Sequence, residues 1–231
     1  KNKIFNLHIN EKNKLLIIKI YIKYFLKKFE IKSHNYNLST WSIMNIIYAG
    51  CFIKNKKNLI LTINEIKELF KITQEVLPIS NENLYLSAIR KNGEILYDEA
   101  SIVEMRSNEL IEKIYISKIK LPKLKKNLSK AKKIKFLEKY SYNPSISLKA
   151  LNAINNSDLI IYAPGTQHSS LLPTYLTKNL PDLIFKNKNI LKVFITNIGA
   201  DYETPNFRAS DYINLAYKFL NHNSNFKINY F

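Results

Sequence analysis

Scarcity of glycine constrains this chain more than any other feature. Its 231 residues hold four glycines, Gly50, Gly93, Gly165 and Gly199. A dinucleotide fingerprint (GxGxxG) or a phosphate loop (GxxxxGK[ST]) needs two or three glycines within about eight residues. Neither motif can be built from glycines so far apart. A GxSxG elbow and an HExxH pair are also missing, so hydrolases of those types have no sequence support.

One glycine stands at an informative place. In "DLIIYAPGTQHSSLLPTYL", residues 158–176, a short apolar run ends in Pro164-Gly165 and hydroxyls follow. This reads as a strand that stops, turns tightly and enters a helix, which is where α/β proteins place ligands. Pro164 fixes the exit from the strand. Gly165 allows a positive φ or a close approach to a ligand. Thr166, Ser169 and Ser170 would lie at a helix start whose free N–H groups bind anions, phosphate above all. A well-capped turn with no ligand fits the same residues equally well. Asn197 closes the apolar run 190–196, and in a parallel sheet that strand end shares an edge with the Gly165 turn. Its amide could bond a base, ribose or phosphate, or cap the turn into Gly199.

The order of elements supports a parallel sheet. Apolar spacing predicts helices over 14–29, over 37–53 with Asn37, Ser39 or Thr40 as cap, and over 62–77 with Asn64 as cap and Pro78 as terminator. From residue 83 the period changes. Asn92-Gly93 between "NLYLSAI" and "EILYDEASIVE" is a hairpin signal, and a further strand follows at 110–119, so residues 83–119 read as an antiparallel β insertion. Then come a helix capped near Ser145, the strand before Gly165, two short helices, a strand at 190–198 and a helix at 209–221. Such alternation over 145–221 is that of βαβ units, with the ligand-binding half there.

Charge, cysteine and histidine exclude several classes. Lys and Arg number 36 against 18 Asp and Glu, a net charge of +18. Lys, Asn, Ile and Tyr crowd every segment, so the excess reads as drift toward AT-rich codons in preference to nucleic-acid binding; no nucleic-acid partner is expected. The basic run at 120–139 reads as a solvated helix or loop that could steer an anion. A single cysteine, Cys51, forbids an intramolecular disulfide and a cysteine zinc site, and its apolar surroundings read as those of a buried structural thiol in a reducing, cytoplasmic protein. The histidines at 8, 34, 168 and 222 are too scattered for a local metal motif. Lysines interrupt the apolar run at 14–29 too often for a membrane span, so no membrane partner is expected.

The residues also resemble a known family. "SDLIIYAPGTQHSSLLPTYL" is similar to the (S/A)D-apolar-PGS-xxxS-xxP segment of the 2-phospho-L-lactate transferase and gluconeogenesis-factor (CofD-like) family, and "KVFITNI" resembles its next strand. "STWSIMNIIYAG" and the 75–104 hairpin region are weaker echoes. The resemblance implies a single α/β domain over 1–231 with a Rossmann-like parallel sheet, a helical N-terminal part and a small antiparallel insertion. It implies a phosphorylated, nucleotide-linked ligand of GDP or UDP type, with Pro164, Gly165, Thr166, Ser169 and Ser170 lining the site and Asn197 and Asn45 supporting it. In the transferase branch a 2-phospholactyl group moves from a guanosine diphosphate donor to a deazaflavin alcohol with Mg²⁺. In the other branch the site binds nucleotide sugars and regulates gluconeogenesis and the cell envelope without known chemistry. Family members look dimeric, which is the ground for expecting a homodimer. The family's N-terminal Gly-rich strand-loop and acidic metal segment have no counterpart, and Met44 replaces its glycine before Asn45. The chain therefore reads as N-terminally truncated or as having lost half its site, and a third expectation is an inactive member. Ligands for Mg²⁺ are not identifiable, and Asp201 and Glu203 read as a solvated loop.

Overall fold

The computed structural model describes residues 11–30, 41–104, 109–125, 127–186, 189–199 and 201–222. The chain divides between Val76 and Leu77 into two compact units.

Among the described residues the first unit holds three helices: α1 (Glu11–Glu30), α2 (Ile43–Lys54) and α3 (Leu59–Phe70). Tyr21, Ile47, Cys51, Ile66 and Leu69 form its core. Helix α2 starts where the Ser42 hydroxyl accepts from the Asn45 amide, and α3 where the Asn58 side chain accepts from the Leu61 amide. Both caps satisfy amides that have no partner within the helix. They correct the expected caps: Asn64 lies inside α3, and Asn37, Ser39 and Thr40 fall outside the described residues. Pro78 is not what ends α3. Lys71 turns into the left-handed region at φ 54° and its amide bonds back to the helix, so α3 ends at Phe70 and not at the expected residue 77. Gly50 is demanded by packing, because a Cβ there would lie 1.9 Å from the Tyr21 carbonyl oxygen of α1. Beside it, Glu65 accepts from the Tyr21 hydroxyl at 2.9 Å and from Lys54, and Cys51 is fully buried. Burial pushes the Cys51 thiol up to about 11, so it is a packed thiol and no nucleophile.

Among the described residues the second unit holds two sheets. Strands β1 (Tyr85–Arg90), β2 (Ile95–Leu96) and β3 (Ile111–Ser117) form an antiparallel sheet in the order β2-β1-β3. Its hairpin turns at Asn92-Gly93, where Gly93 adopts φ +84° and donates to the Arg90 carbonyl. The expected second strand is cut short. Asp98 accepts from the Ser101 amide at 2.8 Å, and this cap starts α4 (Glu99–Glu104) instead. Helix α5 (Lys130–Tyr140), capped by Ser129, carries the basic run, and α6 (Leu148–Asn155) is capped by Ser147, two residues beyond the expected Ser145.

Strands β4 (Leu159–Tyr162) and β5 (Leu191–Phe194) pair in parallel, Leu159 opposite Leu191 and Tyr162 opposite Phe194. Between them run a π-helical turn (Gln167–Leu171), α7 (Leu172–Tyr175) and α8 (Leu180–Lys186), and α9 (Ala209–His222) follows. Strand β5 stops four residues before the expected end at 198. On one sheet face Ile160, Tyr162 and Phe194 pack on a core that includes Leu172, Tyr175 and Leu220. Leu159, Ile161, Leu191 and Val193 of the other face are 38% to 64% exposed. The protein is thus a mixed α/β fold with a parallel pair and a separate antiparallel sheet. No helix among the described residues is long and apolar enough to cross a membrane.

Candidate functional site

At the carboxyl ends of β4 and β5 two chain segments are stitched together by one side chain. Asn197 Oδ1 accepts from the Gly165 amide at 2.7 Å, and its Nδ2 donates to the Gly165 carbonyl at 3.0 Å. This pairing copies a strand ladder one step past the strand ends, where Ile195 still donates to the Tyr162 carbonyl. The Asn197 amide group thereby fixes the Gly165 peptide in place. Gly165 does not have a positive φ, and a Cβ there would meet only the Leu171 side chain at an ordinary 3.6 Å. The fold itself does not require glycine at this position.

Beyond Gly165 the backbone enters the π-helical turn. The amides of Leu171 and Leu172 bond to the carbonyls of Thr166 and Gln167, five residues back. Pro173 follows immediately and has no N–H to give to the Ser169 carbonyl, which removes one bond that would tighten the turn to an α-helix. The wide turn brings three hydroxyls together. Thr166 lies 2.7 Å from Ser170 and 2.8 Å from Ser169, oxygen to oxygen.

The anion that this turn attracts comes from the protein itself. Glu203 Oε2 accepts from the His168 amide at 2.7 Å and the Ser169 amide at 3.0 Å, while Oε1 accepts from the Ser169 hydroxyl. Glu203 is 3% exposed, and its own amide donates to Asp201 at 2.9 Å. Thr204, buried beside it, meets the Tyr212 hydroxyl of α9 at 3.0 Å. A carboxylate in this seat satisfies donors that the turn cannot satisfy and complements their partial positive charge. Burial raises the Glu203 carboxyl above its ordinary range, opposed by the donors from Ser169 and His168. His168 is 2% exposed, and burial lowers its imidazole to about 4, so it is neutral near pH 7. A buried neutral imidazole is a packing group and does not meet the requirement of an exposed acid or base.

Several expectations are corrected by this arrangement. The amides of His168 and Ser169 are not free, because Glu203 holds them, and the Ser169 hydroxyl is spent on the same carboxylate. Asp201 and Glu203 are structural members of the site, although the sequence around them reads as solvated loop. Pro164, Gly165, Thr166, Ser169, Ser170 and Asn197 do come together. Ser170 and Pro164 are exposed there, and Thr166 and Asn197 are half-buried. Asn45 lies in the first turn of α2, exposed, in the other unit. Nothing local to "ADYETP" points to Glu203, since its partners lie 34 and 35 positions away.

For Mg²⁺ the donor set is poor. Asp201 Oδ1 accepts from the Glu203 amide, Oδ2 lies 3.4 Å from Asn197 Nδ2, and Glu203 is saturated as described. Among the described residues no three His, Cys, Asp or Glu side chains group together as metal ligands. These residues do not fit a protein-held magnesium ion, and no step is derived through one.

Comparison with known proteins places the chain. It matches the family described as 2-phospho-L-lactate transferase CofD over residues 4–231. A protein from Clostridium acetobutylicum named "Putative gluconeogenesis factor" is 28% identical over 159 residues, 68% of this chain and 30% of its own length. The "Gluconeogenesis factor" of Halalkalibacterium halodurans is 26% identical over 177 residues, 76% of this chain and 47% of its own. The chain thus spans less than half the length of these relatives. A crystal structure of a UPF0052-family protein from Bacillus halodurans superposes with a TM-score of 0.59 at 22% identity, covering 88% of this chain and 59% of that one. That likeness shows a shared fold, and the match over nearly the whole sequence shows that the chain belongs to the 2-phospho-L-lactate transferase CofD family.

Proposed function

We propose that the carboxyl edge of β4 and β5 binds a phosphorylated, nucleotide-linked small molecule of GDP or UDP type. The observation that carries this reading is the Asn197–Gly165 pairing, which holds a half-buried backbone turn where parallel sheets bind ligands. Glycine is not needed there for folding, since an added Cβ would rest on the Leu171 side chain at an ordinary 3.6 Å. In this reading Pro164 and Gly165 shape the turn, and Thr166 and Ser170 offer hydroxyls to phosphate oxygens. The amides of Thr166 and Gln167, which Glu203 does not engage, face the same ligand. Ser169 and Glu203 hold the turn from behind.

Two activities use that ligand class. The family description supports a 2-phospho-L-lactate transferase, and in this reading the 2-phospholactyl group moves from a guanosine diphosphate donor to a deazaflavin. The relatives' names support a role in gluconeogenesis, and in the second reading the chain serves it by binding a nucleotide sugar without turnover. A thermal-shift panel of GDP, UDP and UDP-sugars, with and without Mg²⁺, tests the ligand class. A ligand at 100 times its Kd adds about 2.7 kcal/mol of stability. Stabilisation by a guanosine nucleotide together with product formation supports transfer, and stabilisation by UDP-sugars without turnover supports regulation. No shift with any of them contradicts the proposal.

A further inference from the structure

A cavity lies away from the Gly165 turn and shares no residue with it. It is half-open, about 620 Å³, and sits between β3, α5, the end of α7 and α9. Volumes of about 300–1,000 Å³ are those of small-molecule sites. Its wall is apolar: Ile114, Ile134, Leu176 and Phe219. Tyr115 also lines it, 2% exposed, and the Tyr115 hydroxyl has no hydrogen-bond partner among the described residues. An unsatisfied buried hydroxyl is costly and calls for an acceptor.

The charges at the cavity do not cancel. Glu112 pairs with Lys130, and Lys113 pairs with Glu138 at 3.2 Å. Lys218 of α9 lines the same cavity, is exposed, and forms no ion pair among the described residues. One uncompensated ammonium therefore faces an apolar cleft. Burial holds the Tyr115 hydroxyl up to about 12, so it stays protonated and is available as a donor.

We propose that this cavity binds a small amphipathic acid, with an apolar body against Ile114, Ile134, Leu176 and Phe219, an anionic head paired with Lys218, and an acceptor atom that takes the Tyr115 hydroxyl. Each part of that ligand answers one feature of the wall. Apolar burial supplies most of the affinity, and the two polar contacts select the acid over a neutral analogue.

The test uses 2-naphthoxyacetate as probe, which carries an aromatic body, a carboxylate and an ether oxygen, with 2-naphthoxyethanol as its neutral counterpart. Isothermal titration into the whole chain is expected to show one saturable site and at least fivefold weaker binding of the alcohol. Ile134→Trp fills the cavity from a half-buried helix position and should weaken the acid at least tenfold. Lys218→Glu, at an exposed position that leaves the fold intact by circular dichroism, should do the same, and Tyr115→Phe should cost about fivefold. Absence of binding to the unmodified chain overturns the proposal. Binding unchanged in both Ile134→Trp and Lys218→Glu also overturns it, because the probe then sits elsewhere, the bare face of β4 and β5 included. Equal affinity for acid and alcohol removes the role given to Lys218.

Discussion

Replacing Glu203 by alanine empties the anion seat of the Gly165 turn and should unlock it. The change strands the amides of His168 and Ser169 and the Ser169 hydroxyl, three donors in a buried setting. Each stranded donor costs about 1–3 kcal/mol, so the upper limit is several kcal/mol. Two effects reduce it: water can enter the vacated space, and the variant no longer desolvates a carboxylate. A net loss of about 3 kcal/mol is expected for Glu203→Ala. Glu203→Gln keeps one acceptor oxygen and should lose about half as much. Urea unfolding gives the stability difference, and hydrogen exchange at the His168 and Ser169 amides reports the seat itself. Formate is small enough to fill the vacated seat and should restore protection to those two amides in the alanine variant only. The reasoning is refuted by an alanine variant within about 0.5 kcal/mol of the parent, with both amides still protected and no response to formate.

Gly50→Ala should cost at least about 3 kcal/mol and expose Cys51 to a thiol reagent, because the new Cβ meets backbone 1.9 Å away; an unreactive thiol and unchanged stability contradict this. His168 lowers stability on acidification: the unfolded chain binds its proton near 6.5, the folded chain only near 4, so stability falls through that window by up to about 3 kcal/mol. The raised Glu203 carboxyl acts in the opposite direction and offsets part of the loss. His168→Gln should flatten the slope of stability between pH 7 and pH 5, and an unchanged slope assigns it to other groups. Gly165→Ala should change stability by less than about 1 kcal/mol, since the added methyl makes only ordinary contacts, while weakening nucleotide binding; a large loss of stability means that the turn needs glycine to fold.

What the sequence revealed of this fold was what short-range chemistry dictates. Asn92-Gly93 marks its hairpin because the turn needs a positive φ. The run Leu159–Tyr162 and its partner Leu191–Phe194 were legible as parallel strands from their apolar character and the helices between them. Ile161 and Val193 lie exposed all the same, since a pattern of apolar residues does not say what covers them. Helix ends were read less well. Asn58 and Ser42 compete with nearby polar residues for the role of cap, and only the backbone path decides which side chain reaches an amide. For the site, the meeting of Asn197 with the Gly165 turn was legible because strand ends share an edge in a parallel sheet. Glu203 was not, because its role depends on three donors more than thirty residues away and on burial that no local pattern encodes.

The most direct test is isothermal titration of GDP and of UDP into the chain and two variants, at low and at high salt. Asn197→Ala frees the Gly165 peptide, whereas Lys125→Ala/Lys132→Ala removes only dispersed surface charge. Fixed amides and hydroxyls bind phosphate through geometry, while separated lysines give a field that salt screens within about 10 Å. At least a tenfold loss of affinity, about 1.4 kcal/mol, is expected for Asn197→Ala, and for the lysine variant little beyond a flatter salt dependence. If Asn197→Ala binds as the parent does and the lysine variant does not bind at all, the Gly165 turn is structural and the ligand lies elsewhere.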